Sequence, residues 1–187
     1  MRKIIAGLFI SLDGVVEAPQ NWQFPYYNDQ VGQKIAAMAA SADTLILGRK
    51  TYEEFAAHWS VQGSEVPFAD AINGTRKLVA STTLTNLEWQ NSTLLGADIP
   101  EEIAALKEGV GKNISVSGSP TLVRFLLNKG LLDELHLLVH PLVLGSGQEL
   151  FPNNASRVHL KLLESTAYKT GVVSSVYAPA DPQAELS

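Results

Sequence analysis

Four short stretches carry residues that could hold an anion or move a proton. In LILGRKTYEEF, residues 45–55, three apolar positions run into Gly48, and Arg49, Lys50 and Thr51 follow at once. In VASTT, residues 79–83, an apolar run closes on the hydroxyls of Ser81, Thr82 and Thr83. In VSGSPT, residues 116–121, Gly118 and Ser119 stand just before Pro120. In SLDG, residues 11–14, Asp13 sits where a strand should turn.

Tyr52, Phe55, Ala56 and Trp59 recur as one face of a helix. Thr51 and Glu54 have capping-box spacing, which predicts Thr51 as the N-cap. That accounts for the threonine and leaves Arg49 unexplained, because a cation is disfavoured at the positive end of a helix dipole. An anion sharing the site would resolve the conflict, since free N–H groups and a guanidinium together suit a phosphate. Gly118 would let the backbone approach a ligand, and Ser119 opens a helix whose N–H groups could hold a pyrophosphate. The same two residues equally describe a capped helix that binds nothing. Asp13 could act in proton transfer or could satisfy the N–H groups of its own turn.

Two helix starts, an arginine and a hydroxyl cluster provide two phosphate positions. Arg49 with Ser81, Thr82 and Thr83 would take a 2′-phosphate, and Gly118 with Ser119 a pyrophosphate, which favours NADPH over NADH. Trp22 and Tyr26, in a loop over 15–28, could stack on a flat substrate or simply pack. Asp29 stands at the start of DQVGQKIAAM as a possible acid, or shares N-cap duty with Asn28. His58, His136, His140 and His159 show no metal-triad spacing, and no metal site is expected.

The elements that must position these residues alternate. Strands are predicted over 3–11, 44–48, 76–81, 92–95, 113–117, 134–144, 157–166 and 171–178. Helices are predicted from residue 29, with Val31, Ile35 and Met38 or Ala39 facing inward, and over 52–59, 100–108 and 120–129, with a short one inside 63–75. This alternation gives a mostly parallel α/β sheet, with at least one antiparallel strand among the last three. Residues 1–178 read as one domain and 179–187 as a tail.

The 187 residues are 45% apolar and carry a net charge of −5, so a core is affordable and a nucleic-acid partner is not expected. There is no cysteine, which removes disulfides, thiolate metal sites and thiol nucleophiles. MRKIIAGLFISLDG has too short an apolar run for a leader, with Asp13 close behind, and reads as a first strand. No run is long enough to span a membrane, and a cytoplasmic location is expected.

LILGRKTYEEF resembles the second-strand motif of dihydrofolate reductases, whose Gly-Arg-x-Thr binds NADPH phosphates, and KLVAST resembles the strand after it. SLDG, TLVRFLL and DELHLLVHPLVLGSGQELF, residues 133–151, resemble the reductase domain of the bifunctional riboflavin-biosynthesis deaminase–reductase. The resemblance spans roughly residues 2–178. It implies a three-layer α/β/α fold of the dihydrofolate reductase type, NADPH as cofactor, and hydride transfer to a small heterocycle of the pyrimidine or pterin kind, as in 5-amino-6-(5-phosphoribosylamino)uracil reduction. It also implies a homodimer, and the apolar run 134–144 fits one, since both of its faces need cover, with an interface expected from 134–144 and from the final hairpin. Zinc-deaminase cysteines are absent, so the bifunctional enzyme is not expected. The substrate-protonating carboxylate of dihydrofolate reductases has its nearest match in Asp29, with Asp13 as the other candidate. The alternative reading is a non-catalytic NADP- or nucleotide-binding or interaction protein on the same fold.

Overall fold

The structure is a computed structural model and describes residues 1–181. Its strands are β1 (Ile4–Ser11), β2 (Ala42–Gly48), β3 (Arg76–Ala80), β4 (Ser92–Leu94), β5 (Asn113–Val116), β6 (Glu134–His140), β7 (Leu160–Ala167) and β8 (Val173–Pro179). Its α-helices are α1 (Asp29–Ala40), α2 (Arg49–Trp59), α3 (Ala69–Gly74), α4 (Ile99–Glu108) and α5 (Pro120–Asn128). The strands form one sheet in the order β4-β3-β2-β5-β1-β6-β8-β7. The first six are parallel, and β8 and β7 add antiparallel at the end.

Alternation along the strands explains the layers. Ile4, Ala6 and Ile10 of β1, Ile114 and Val116 of β5, and Leu135 of β6 form one core with Ile103 of α4 and Leu122, Val123 and Leu126 of α5. On the opposite face, Leu45 and Leu47 pack with Tyr52, Phe55, Ala56 and Trp59 of α2, so the predicted inner face of that helix is the observed one. Leu138 packs there with Val31 and Ile35 of α1. This is the expected α/β/α arrangement. Among the described residues, no helix is long and apolar enough to cross a membrane.

Several boundaries move, each for a local reason. Helix α2 starts at Arg49 with Gly48 as its N-cap, so Thr51 lies in its first turn and the Thr51–Glu54 capping box does not form. Gly48, extended at φ −73° and ψ 160°, ends the strand and caps the helix in one residue. Strand β6 stops at His140 instead of running to Leu144, because Pro141 has no N–H to continue the ladder. β6 also lies inside the sheet between β1 and β8, so the edge on that side of the sheet is β7, not the run 134–144. The 15–28 loop contains two 3-10 turns, Pro19–Asn21 and Phe24–Tyr26. Strand β8 runs to Pro179, and the Ala180 N–H donates to the His159 carbonyl at 2.9 Å. From residue 182 the expected tail lies outside the described residues.

Candidate functional site

The parallel strands all deliver their carboxyl ends to one edge, where open α/β sheets bind ligands. At that edge β3, β2 and β5 are neighbours, so Ser81, Gly48 and Gly118 follow one another across the sheet. Two of the turns touch. The Gly48 N–H donates to the Gly118 carbonyl at 3.2 Å. A Cβ on Gly48 would stand 2.6 Å from Ser119 Oγ, and one on Gly118 2.9 Å from Thr51 Oγ1. A side chain at either place would force its neighbour to move, and at Gly118 the backbone itself, at φ +125°, favours glycine. The junction thus brings the starts of α2 and α5 together. Ser119 Oγ accepts from Leu122 N–H at 3.4 Å, while no side chain caps α2.

The third cluster stands beside this junction, since Ser81 follows Ala80, the residue paired with Gly48. Ser81 Oγ accepts from the N–H groups of Thr83 and Leu84 at 3.2 and 3.0 Å, and Thr82 and Thr83 are exposed. Arg49 holds both carboxylate oxygens of Glu53 at 2.9 and 3.0 Å. The side chains of the pair are 42% and 46% exposed, and such an i,i+4 pair is weak enough for a stronger anion to displace.

The candidate acids are placed elsewhere. Asp13 accepts from Ser11 Oγ at 2.6 Å, from Gly145 N–H at 2.7 Å and from Leu144 N–H at 3.1 Å. The Ser11 hydroxyl, followed by these backbone donors, holds its carboxyl well below the usual range, at about 2. Asp29 is exposed as the first residue of α1, and Asn28 takes the cap, accepting from Val31 N–H at 3.0 Å. Trp22 is buried, with Nε1–H donating to the Glu17 carbonyl at 3.0 Å. Trp22 and Tyr26 both stand edge-on to the His140 ring, with centroids 5.1 and 5.6 Å away, and Phe9 adds a third ring at 5.8 Å. Burial pushes the His140 imidazole below its ordinary range, against its hydrogen bonds to backbone carbonyls.

On the sheet face that carries α1, α2 and α3 there is an apolar cavity of about 450 Å³. Gly7 of β1 and Ser115 of β5 line it with Met38 of α1, Phe55 of α2 and Phe68 before α3. It reaches Ser117, the neighbour of Gly118, and so adjoins the glycine junction. Neither Asp13 nor Asp29 lines it. His136 does, and its Nε2 lies 2.8 Å from Glu134 Oε2. Glu134 Oε1 accepts from Lys3 Nζ at 2.7 Å. Burial raises the Glu134 carboxyl, but the hydrogen bonds from Lys3 and His136 outweigh it and leave the group below its ordinary value. His136 Nδ1 is buried and, among the described residues, has no hydrogen-bond partner. Such an orphan costs about 1–3 kcal/mol unless something meets it. Sequence reasoning missed this cavity. The signals were Glu134 and His136 at i, i+2 on a buried strand, and Gly7 and Ser115 in strands otherwise rich in branched apolar residues.

Residues 2–174 match the RibD C-terminal domain. The chain belongs to that family. Protein YyaP of Bacillus subtilis (strain 168), itself uncharacterized, is 29% identical over 181 residues, covering 94% of each chain. A protein of Shewanella sp. PV-4 assigned provisionally to riboflavin biosynthesis superposes with a TM-score of 0.77 at 20% identity, over 96% of this chain and 99% of its own. Dihydrofolate reductase from Enterococcus faecalis, solved with NADP(H), superposes at 0.64 with 14% identity, over 96% of this chain and 97% of its own. This RibD C-terminal domain protein therefore has the dihydrofolate reductase-like fold in a family of reductase type.

Proposed function

We propose that the protein is an NADPH-dependent reductase that passes hydride to a C=N or C=O bond of a small pyrimidine- or pterin-like compound, in the manner of the 5-amino-6-(5-phosphoribosylamino)uracil reductases. The observation that carries this reading is the contact between the Gly48–Thr51 and Gly118–Ser119 turns, which sets the starts of α2 and α5 side by side at the carboxyl edge of the sheet. That cradle suits a pyrophosphate held by backbone N–H groups. Arg49, released from Glu53, takes the 2′-phosphate with Ser81, Thr82 and Thr83, and Lys50 adds a second cation beside them. The bound dinucleotide supplies the hydride. The chain supplies orientation and, in the cavity next to Ser117, a dry place for the acceptor. Asp13 and Asp29 are the sequence's candidate acids, and because neither lines the cavity, protonation of the product falls to water. The same observation favours a second reading, a non-catalytic NADP-binding protein, which would bind NADPH and never oxidise it.

Titration calorimetry tests the cofactor. NADPH should bind more tightly than NADH. A charge-assisted hydrogen bond contributes about 1.5–3 kcal/mol, so Arg49→Ala should weaken NADPH roughly 10- to 150-fold and leave NADH nearly unchanged. Equal losses for both cofactors would make Arg49 a structural residue.

A further inference from the structure

The cavity beside Ser117 has a particular chemistry. Apart from His136, no ionisable residue lines it: its walls are aliphatic and aromatic, with Thr44, Thr75, Ser115 and Ser117 among them. A phosphate drawn into such a place would lose its water and meet no cation. The polar point is His136. The Glu134 carboxylate accepts and cannot donate, so His136 Nε2 carries the proton of their 2.8 Å hydrogen bond. Lys3 holds the far oxygen of Glu134 and fixes the carboxylate. In the neutral imidazole Nδ1 is then the acceptor, and it is the nitrogen with no partner.

We propose that this cavity takes a neutral, flat, unphosphorylated ring compound, and that His136, oriented by Glu134, anchors a ring N–H or O–H of that compound through Nδ1. The inference rests on the reductase reading for what the compound is, namely the hydride acceptor, because the cavity adjoins the proposed cofactor cradle through Ser117 and Gly118. It departs from the phosphoribosyl substrate that the family resemblance suggests. His136 faces Gly7 of β1 on one side of its strand and Val176 of β8 on the other, and neither can satisfy Nδ1 with a side chain.

The test uses the full chain saturated with NADPH, and uracil, lumazine and uridine 5′-monophosphate as probes. Long-range proton–nitrogen NMR spectra read His136 directly. At a pH where the imidazole is neutral, Nδ1 should resonate as an unprotonated acceptor in the free protein and shift on addition of uracil or lumazine. Calorimetry should give the monophosphate an affinity at least ~10-fold weaker than that of uracil, its ring without the phosphoribosyl group. His136→Phe should weaken the neutral rings roughly 3- to 10-fold while NADPH affinity stays as it was. Should that variant fail to fold, the wild-type spectra decide alone. If NADPH binds but neither neutral ring moves Nδ1, or if the monophosphate binds more tightly, the proposal is overturned and the cofactor reading stands. If NADPH does not bind, the cofactor reading falls, and the same shift measured on the cofactor-free chain decides the cavity.

Discussion

Asp13 shows how a group that could do chemistry is spent on structure. Its carboxylate joins the turn after β1 to Leu144 and Gly145 in the loop after β6, and the Ser11 hydroxyl with these backbone donors holds its pKa at about 2 against an ordinary 3.8. A carboxyl lowered in the folded state contributes stability that is present above the unfolded value and lost as pH falls through the folded one. Thermal stability should therefore drop between about pH 4 and pH 2, and Asp13→Asn should flatten that part of the profile. Melting curves of both proteins across pH 2–6 check this, and identical slopes would show that Asp13 is not held down. The turn itself was legible in SLDG, but its partners were not, because they lie more than 130 residues away in the chain. Lys77 was equally illegible. It is fully buried, and Nζ donates to the carbonyls of Ile72, Asn73 and Thr75 at 2.7–3.0 Å, closing the end of α3. A lysine in RKLVAS gives no sign of carbonyls that only the preceding helix can present.

At the scale of elements, the order and type of strands and helices were readable because burial on two faces makes parallel strands apolar throughout and helices periodic. The join between β2 and α2 was not. Capping-box spacing favoured Thr51, but tertiary contact set the start three residues earlier, with Thr51 standing over Gly118. That contact can be tested. Gly48 has φ −73°, which alanine adopts freely, so the cost of Gly48→Ala is the clash with Ser119 together with the loss of a better N-cap residue. It should destabilise by about 1–3 kcal/mol, as overpacking does, and weaken NADPH by prising the two helix starts apart. Ser119→Gly keeps an acceptable N-cap and removes the Oγ and Cβ that lie 2.6 and 3.2 Å from the added methyl. The double variant should therefore recover part of the loss. Denaturant unfolding of the two singles and the double gives the coupling directly, and strict additivity would mean that the turns do not press on each other.

For the whole molecule, assembly is the open consequence of the sheet order. The apolar run 134–144 is covered within the chain only in part: Leu135, Leu138 and His140 are buried and β8 pairs along the outer side of β6, while Val143 stands exposed. The other expected part of the interface, the final hairpin, presents β7. Seven of its eight residues are exposed, and Leu162 and Leu163 each stand 51% open. The register with β8 slips between Leu162 and Glu164, a bulge that bends the edge and discourages open-ended strand addition. Lys161 and Glu164 flank the leucines and act the same way. A bent, charged edge with an apolar centre suits a closed two-fold contact better than a fibre. We therefore expect a homodimer joined through β7, scattering light as twice the 20.2 kDa chain at micromolar concentration. Leu162→Lys should return it to one chain with its melting point lowered only as far as the lost contact requires, since the side chain is already half in water. A wild-type mass of one chain would refute the dimer, and β7 would then be an edge protected by its bulge and charges alone.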